Sequence, residues 1–533
     1  MKILKFIPLT ILVVALVLIH SCDADKLELT NPNELSPETY FKTESQVQSA
    51  VNSAYGNLQT RGLYNRHIWF GYDNMSHENC GNPQLEADKR QYLNFSFDSK
   101  HIPIGAFWES CYRGINKANF VINNKDVIAE IPDAQLSAAM KAKFDGEAKF
   151  LRALYYFMLV DRFGSVPLVL KVPDDQEGIG KSPVADIWAQ IESDLTDAAN
   201  SCLSKSEEDA GRATSGAAWA LLGKAHLFQK EYDAALTAFN NVTGYSLENN
   251  YFNNFMEETE HGPEQIFSVE FNIAAGNANR WDSDRSDQGL NESCFRGQEY
   301  GCFNWYNVFP SVNLRNEFET AAENGVKDDP RYSYCFYSNG DLYNNGQDVV
   351  ALTDLTQSNN SVYPRVGWRK YQNYYKQPSE GSVSGEASGI NMKIIRYADV
   401  LLMMAEAEAN RSGGNLATAV GYMNQVRARA DVDMPLYGTA AMDAIYPVGT
   451  LAEFMVALEH ERKVELCGEQ IRFPDLVRWG RLADFMDEVF PDLPLQEQNE
   501  LVFNASKHVL WPIPQGEIDA NNSLTSADQN PGY

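Results

Sequence analysis

The sequence predicts a mainly α-helical fold built from paired helices, with long irregular segments between the pairs. The clearest observation lies in residues 214–243, where Trp219, Leu222 and Gly223 precede Ala235 and Phe239 at the spacing of a tetratricopeptide repeat. Small residues at 223 and 235 let two antiparallel helices approach closely, and the larger side chains fill the space between them. The second observation is a change of composition, because glycine, asparagine, serine, aspartate and aromatic residues replace helical periodicity at about 245–390.

Further helical pairs are predicted near residues 40–60, 108–160, 185–243 and 392–480. Because a tetratricopeptide-like repeat buries its apolar face only against its neighbours, about three or more such pairs are expected in one scaffold. The irregular excursion at about 245–390 is long for a compact domain. Segments of this length commonly form binding surfaces, so we expect the excursion to carry the ligand face.

The first 21 residues have the pattern of a bacterial signal peptide. Lys2 and Lys5 precede an apolar run over residues 6–19, which is too short for the roughly 20 residues of a membrane-spanning helix. A small residue followed by Cys22 resembles the end of a lipoprotein signal, which predicts lipid attachment at Cys22 and a body formed by residues 22–533. The alternative is ordinary secretion, with Cys22 as a free thiol. An acidic stretch follows, which fits either a surface-export signal or a solvated linker: Asp23, Asp25 and Glu28.

The 533 residues carry a formal net charge of −28. This charge repels polyphosphate, so nucleic-acid binding is not expected. The cysteines after residue 22 show no zinc-like spacing, and residues 282–287 lack the glycine of a calcium loop, so neither a metal nor a cofactor is expected. Cys294 and Cys302 lie close together in an irregular segment, and we expect a disulfide between them in an oxidising exterior.

Several motifs, taken together in order and spacing, are similar to one protein family. They are Trp108-x-x-Cys111-Tyr112-x-x-Ile115-Asn116, Glu147-Ala148-x-Phe150-Leu151-Arg152, Asp329-Pro330-Arg331, Arg396-Tyr397-Ala398-Asp399, Asn424-x-Val426-Arg427-x-Arg429, Glu461-Arg462-x-x-Glu465-Leu466 and Leu510-Trp511-Pro512-Ile513-Pro514. Over nearly all of residues 22–533 the chain resembles the SusD/RagB family of outer-membrane nutrient-binding lipoproteins of Bacteroidota. The resemblance implies a lipid-anchored protein on the extracellular face of the outer membrane. It also implies that the protein captures a glycan without catalysis and acts as a lid on a SusC-like TonB-dependent transporter.

Three glutamates, Glu461, Glu465 and Glu469, follow one another at four-residue spacing on one helix face, where like charges repel unless cations lie nearby. Two carboxylates could instead hydrolyse a glycosidic bond across roughly 5–10 Å. Their shared helix and the neighbouring cations favour a structural ion network over an enzyme site. The cations nearest in sequence are Arg462, Arg472 and Arg478.

Residues 281–306 concentrate aromatic and polar side chains. Flat rings can stack on the C–H face of a pyranose, while amide and guanidinium groups bind its hydroxyls. Trp281, Tyr300 and Trp305 alternate with polar residues and glycine, and they are the predicted stacking platforms, with Arg296 as a polar contact. The alternative for each ring is burial in a small core under the loop.

The segment after the first helical pair is a second predicted contributor. In the family that the sequence resembles, this N-terminal loop commonly reaches the ligand pocket, which implies that Asp73 and Asn79 contact sugar hydroxyls. Turn capping is an equally good interpretation of both residues.

The combined prediction is a surface protein that binds an oligosaccharide or polysaccharide and delivers it to a SusC-like transporter. A rival prediction is a peptide-binding or structural assembly lipoprotein, since tetratricopeptide scaffolds often hold peptides. The weakest alternative is an enzyme, which would need two acids converging in the aromatic pocket, such as Asp73 with Asp282 or Glu299.

Overall fold

The computed structural model describes residues 40–171, 178–273, 292–380 and 388–533. The α-helices are α1 (Glu44–Gly56), α2 (His67–Met75), α3 (Ala87–Asn94), α4 (Ile102–Ile122), α5 (Lys125–Ala129), α6 (Ala138–Phe163), α7 (Val184–Ser201), α8 (Ser215–Phe228), α9 (Tyr232–Phe239), α10 (Arg296–Tyr300), α11 (Val312–Arg315), α12 (Ala321–Asn324), α13 (Arg331–Cys335), α14 (Tyr397–Asn410), α15 (Leu416–Arg427), α16 (Ala440–Asp443), α17 (Leu451–Leu466), α18 (Arg472–Arg478), α19 (Leu482–Val489), α20 (Leu495–Glu500), α21 (Ala505–His508) and α22 (Gln515–Ala520). The β-strands are β1 (Asn79–Gly81), β2 (Gln265–Val269), β3 (Val308–Pro310), β4 (Phe336–Tyr337), β5 (Leu342–Tyr343), β6 (Asp348–Val349), β7 (Leu355–Thr356), β8 (Val362–Tyr363), β9 (Gly367–Trp368) and β10 (Met392–Arg396). The predicted mainly α-helical fold class is confirmed.

Some sequence predictions fall on residues that the structure does not describe. The predicted signal peptide, the lipid-attachment residue Cys22 and the stacking residue Trp281 all lie outside the described ranges. Within those ranges, no helix has both the length and the apolar character that crossing a bilayer requires.

The helical scaffold is built by successive packing along the chain. Helix α6 packs on α4 and α7, helix α8 packs on α7 and α9, and helix α14 packs on α15 and α17. Helix α9 also contacts α14. The hairpin that precedes the irregular excursion therefore lies against the hairpin that follows it, and the two form a continuous support.

The α8–α9 hairpin shows the close helix approach that its sequence predicts. A Cβ atom placed on Gly223 would lie 2.4 Å from the ring of Phe239, so no larger residue fits without displacing the ring. Leu222 and Phe239 are both buried. At the end of α8, His226 Nδ1 lies 2.7 Å from Glu231 Oε2, which ties that helix to the turn before α9.

Short antiparallel strand pairs hold the excursion against the scaffold. Strand β2 pairs with β10, and both strands pack on α8. Strand β1 pairs with β3, which places Asn79 opposite Pro310, and β4 pairs with β9, which places Phe336 opposite Trp368. Two hairpins complete the excursion, one of β5 with β6 and one of β7 with β8.

The predicted disulfide between Cys294 and Cys302 is wrong, because the two cysteines are not bonded and their side chains pack in different environments. Helix α10 lies between the two cysteines and separates their environments. The sulfur of Cys294 contacts the carbonyl oxygen of Tyr64 at 3.6 Å in the main core. The Cys302 side chain instead packs against Gly367, where an added Cβ would meet the sulfur at 2.5 Å.

Candidate functional site

The three spaced glutamates of α17 and the following turn are buried and paired with cations. Arg331 Nη1 lies 2.6 Å from Glu461 Oε1. Arg396 Nη1 lies 2.7 Å from Glu465 Oε1, and its Nε lies 2.7 Å from Glu469 Oε2. The expected structural ion network is confirmed, because each of these carboxylates is paired with a buried cation.

The cations of this network are not the arginines that are nearest in sequence. Instead, Arg462 pairs with Asp399 and Asp475, while Arg472 and Arg478 contact Glu459 and Glu406 respectively. The partners come from other elements of the fold, and we call the following set the arginine–glutamate network: Arg331, Lys370, Arg396, Arg427 and Arg429 with Glu264, Glu319, Asp329, Glu461, Glu465 and Glu469. Several of these residues belong to the motifs that carry the family resemblance, so those motifs specify the interior of the scaffold.

Electrostatics keep Glu465 of this network ionised. Burial opposes ionisation of Glu465, but the charges of Arg429 and Arg396 outweigh it and lower the pKa of Glu465 to about 2. Glycoside hydrolysis needs one carboxyl group that remains protonated near neutral pH. Glu465 cannot fill that role.

Four predicted ligand contacts come together, but they do so inside the protein. Arg296 Nη1 and the Tyr300 hydroxyl each lie 3.1 Å from Asp73 Oδ2. Asn79 Nδ2 donates to the Tyr300 hydroxyl at 2.9 Å. At most 1% of the surface of any of these residues is exposed. We call Asp73, Asn79, Arg296 and Tyr300 the buried polar cluster.

The buried polar cluster corrects the expectation that these four residues contact a ligand. The Tyr300 ring is enclosed by Trp69, Phe70 and Trp368, so neither of its faces is open to a sugar. The Arg296 guanidinium lies over the same tyrosine ring, 4.4 Å from its centroid. The loop composition that suits sugar binding also suits a hydrogen-bonded interior, and the structure shows the second outcome here.

The turn after α17 joins the buried polar cluster to the arginine–glutamate network. The carbonyl oxygen of Gly468 accepts a hydrogen bond from Arg296, and its amide donates to Glu78 Oε2 at 3.0 Å. Gln470 Nε2 donates to Asp73 at 3.2 Å. The scaffold and the excursion therefore share one connected set of buried polar side chains.

Glu78 should make the stability of the protein depend on pH. Burial, followed by the charge of Asp73, raises the pKa of Glu78 to about 8. A raised pKa contributes stability that is fully present below the unfolded value of about 4.3 and is lost as pH rises through the folded value. We expect Glu78→Gln to remove a slope of about 1.4 kcal/mol per pH unit from the free energy of unfolding between about pH 5 and pH 8.

Urea unfolding at a series of pH values measures this slope. Glu130→Gln is the matched control, because Glu130 is exposed, and it should leave the slope as in the wild type. An identical pH profile for Glu78→Gln and the wild type would show that Glu78 does not titrate differently in the folded state.

Trp305 lies at the surface, five residues after Tyr300 of the buried polar cluster. Its relative exposure is 39%, while the next residue, Tyr306, is buried. The backbone of Tyr306 has φ +51°, a left-handed conformation that is rare for an aromatic residue and marks a sharp turn. Beside it, the rings of Phe303 and Tyr343 stack with centroids 4.3 Å apart and are half-buried.

A cleft of about 370 Å³ opens near this turn. Residues of three segments line it. They include Gly81, Pro83 and Arg90 from the first segment, Leu355 and Gln357 from the second, and Glu497 from the third. Asn82 links the cleft to the turn, because its side chain donates to the Tyr306 carbonyl oxygen and its own carbonyl oxygen accepts from Arg90. Exposed Pro83 and Gln84 lie in the same loop. Sequence reasoning missed this cleft, since its three lining segments are more than 130 residues apart along the chain.

The acids named for the enzyme alternative are also engaged where the structure describes them. Glu299 is buried and is paired with Arg66 and Asn307. Asp73 is held by Arg296, and Asp282 lies outside the described residues. Neither Asp73 nor Glu299 lines the cleft.

Two groups of side chains in the described ranges have the spacing of metal ligands. They are Glu192 with His226 and Glu231, and Glu260 with His261 and Glu270. None of these residues lines the cleft near Trp305. His226 already pairs with Glu231, and His261 Nε2 lies 3.3 Å from Glu270 Oε2, so the side chains of each group partner one another.

Comparison with known proteins agrees with this architecture. Residues 263–533 match the model of the SusD family, and residues 25–227 match a model described as starch-binding and associating with the outer membrane. SusD-like protein P2 of Formosa agariphila is 26% identical over 565 residues, which cover 99% of this chain and 100% of that protein.

Solved structures share the fold. A SusD superfamily protein from Bacteroides vulgatus superposes with a TM-score of 0.74 at 25% identity and covers 93% of this chain and 100% of its own. A laminarin-binding SusD-like protein superposes with a TM-score of 0.69 at 23% identity, over 92% of this chain and 100% of its own. With a family model that spans half of its length and relatives that span nearly all of it, this chain belongs to the SusD family.

Proposed function

We propose that this protein binds a glycan at the cell surface through the face around Trp305 and performs no catalysis on it. The observation that carries the proposal is the exposed indole of Trp305 on irregular chain, beside the half-buried Phe303–Tyr343 stack. An exposed aromatic plane matches the apolar face of a pyranose, and the neighbouring amides of Asn82 and Gln84 can bind hydroxyls.

The family setting supports this function. One family model is described as starch-binding, and one structural relative binds laminarin; both ligands are neutral polysaccharides. The net charge of −28 opposes polyanions, so a neutral glycan is the expected ligand class. Trp281 is proposed as a second stacking residue, on the excursion that also carries Trp305.

The membrane arrangement belongs to the same proposal. Lipid attachment at Cys22 would anchor the body to the outer membrane, since several acyl chains together give stable anchoring. The glycan would then pass to a SusC-like TonB-dependent transporter from the extracellular face. The description of the matching family model as outer-membrane associated supports the membrane location in this proposal.

The peptide-binding rival has less support from the packing. Strands β2 and β10 both lie on α8, and β10 also contacts α14. A peptide in the manner of a tetratricopeptide ligand would need open helix faces, and these faces already carry the chain's own strands.

Affinity electrophoresis tests the proposed function. Native gels that contain laminarin, starch or other neutral polysaccharides should retard the protein relative to bovine serum albumin. An array of random peptides should show no saturable binding. Unretarded migration in every neutral polysaccharide, together with saturable peptide binding, would reverse the assignment.

A further inference from the structure

Two buried cysteines from distant parts of the chain are in direct contact. The sulfurs of Cys335 and Cys467 lie 3.6 Å apart, although 132 residues separate them in sequence. Cys335 is the last residue of α13, and Cys467 follows the last residue of α17. Both are 0% exposed. Sulfurs in a disulfide are about 2.0 Å apart, so each atom would need to move by only about 0.8 Å.

A buried cation and a hydroxyl group lie beside the pair. The buried ammonium of Lys370 donates to the carbonyl oxygens of Glu465 and Cys467 at 3.1 and 3.0 Å. The Tyr251 hydroxyl lies 3.6 Å from the Cys335 sulfur. The Tyr251 hydroxyl also donates to the carbonyl oxygen of Glu465, so Lys370 and Tyr251 hold the segments of the two cysteines beside each other.

We propose that Cys335 and Cys467 form a disulfide that joins the irregular excursion to the helical scaffold. The proposal rests on the proposed function in one respect, the export of the chain to the oxidising cell envelope. The oxidant is the disulfide of an envelope thiol–disulfide oxidoreductase. One cysteine thiolate attacks that disulfide and forms a mixed disulfide, and the second cysteine displaces the enzyme as a dithiol. Two thiols are thereby oxidised and one disulfide is reduced, before packing buries the pair.

Such a bond would join two segments that each contact the buried polar cluster. Cys467 begins the turn in which Gly468 accepts from Arg296 of the buried polar cluster. Cys335 precedes β4, and the paired strand β9 carries Trp368, whose indole N–H donates to Asn79 at 2.8 Å. Closing a loop of 132 residues also removes entropy from the unfolded chain.

Peptide mapping of the full chain tests the proposal. The lipoprotein is isolated from the outer membrane, alkylated in denaturant without reductant and digested. We expect the Cys335 and Cys467 peptides to be joined, with a mass lower by two hydrogen atoms, and the label to appear on the other free cysteines: Cys80, Cys111, Cys202, Cys294 and Cys302. Label on both Cys335 and Cys467, in this sample and after refolding with oxidised glutathione, would overturn the proposal.

Thermal unfolding provides a second readout. Reductant should lower the Tm of the wild type and of Cys111→Ala, whose thiol is buried in α4, but should leave the Tm of Cys335→Ala unchanged. An equal effect of reductant on Cys335→Ala and Cys111→Ala would contradict the bond. Where Cys335→Ala fails to fold, the wild-type map decides. Glycan retardation in gels is scored separately, so loss of binding and absence of the disulfide remain distinct results.

Discussion

Trp305→Ala should weaken glycan binding by about 2 kcal/mol, which is roughly a 30-fold rise in Kd. The indole is the exposed stacking surface of the proposed face, and its loss removes the apolar contact with the pyranose. Its 39% exposure means that the core should tolerate the change. Calorimetric titration with an oligosaccharide that retards the wild type measures the effect.

The matched control is Leu451→Ala. Leu451 has nearly the same exposure, 43%, but it begins α17 and does not line the cleft. Its removal should leave Kd unchanged. Unaltered affinity in Trp305→Ala, with equal thermal stability of both variants, would remove Trp305 from the binding face.

Arg396→Met should destabilise the fold by about 3–5 kcal/mol. The Arg396 side chain is 1% exposed and pairs with Glu264, Glu465 and Glu469. Methionine fills a similar volume but removes a cation from these buried carboxylates. The loss of the ion pairs costs more free energy than burial of the apolar methionine side chain contributes. The free energy of unfolding in urea reports the change.

Arg113→Ala provides the comparison for Arg396→Met. Arg113 pairs with Glu109 on the outside of α4, where both side chains are in contact with solvent. An exposed pair of this kind contributes about 0–1 kcal/mol. Equal and small effects of the two substitutions would show that the arginine–glutamate network does not stabilise the fold.

The helical scaffold could be predicted because its signals are local. Gly223 and Phe239 lie sixteen positions apart, and their contact follows from the spacing of one hairpin. The carboxylates of α17 repel at four-residue spacing on one helix, so a need for cations could be stated from the sequence alone. Which cations meet that need could not, because Arg331, Arg396 and Arg429 arrive from three other elements.

The candidate site was harder to predict because burial is a property of the whole fold. Tyr300 and Trp305 are five residues apart and have similar neighbours in sequence, yet one is enclosed and the other is 39% exposed. The difference arises from Asp73 and Asn79, more than 200 residues away, whose polar groups hold the Tyr300 hydroxyl inside. The composition of the segment suits both a sugar-binding ring and a buried ring, so it carries no information about which ring faces solvent.

The cysteines show the same limit. Cys294 and Cys302 are eight residues apart and separated by α10, whereas Cys335 and Cys467 are 132 residues apart and touch. Closeness along the chain is a useful guide only where no secondary structure lies between the residues.

A crystal structure of the protein with a retarding oligosaccharide tests the central claim most directly. The claim predicts a pyranose ring stacked on the Trp305 indole at van der Waals distance, about 4 Å, with hydroxyls within reach of Asn82 or Gln84. A glycan bound elsewhere on the surface, with Trp305 facing only solvent, would contradict it.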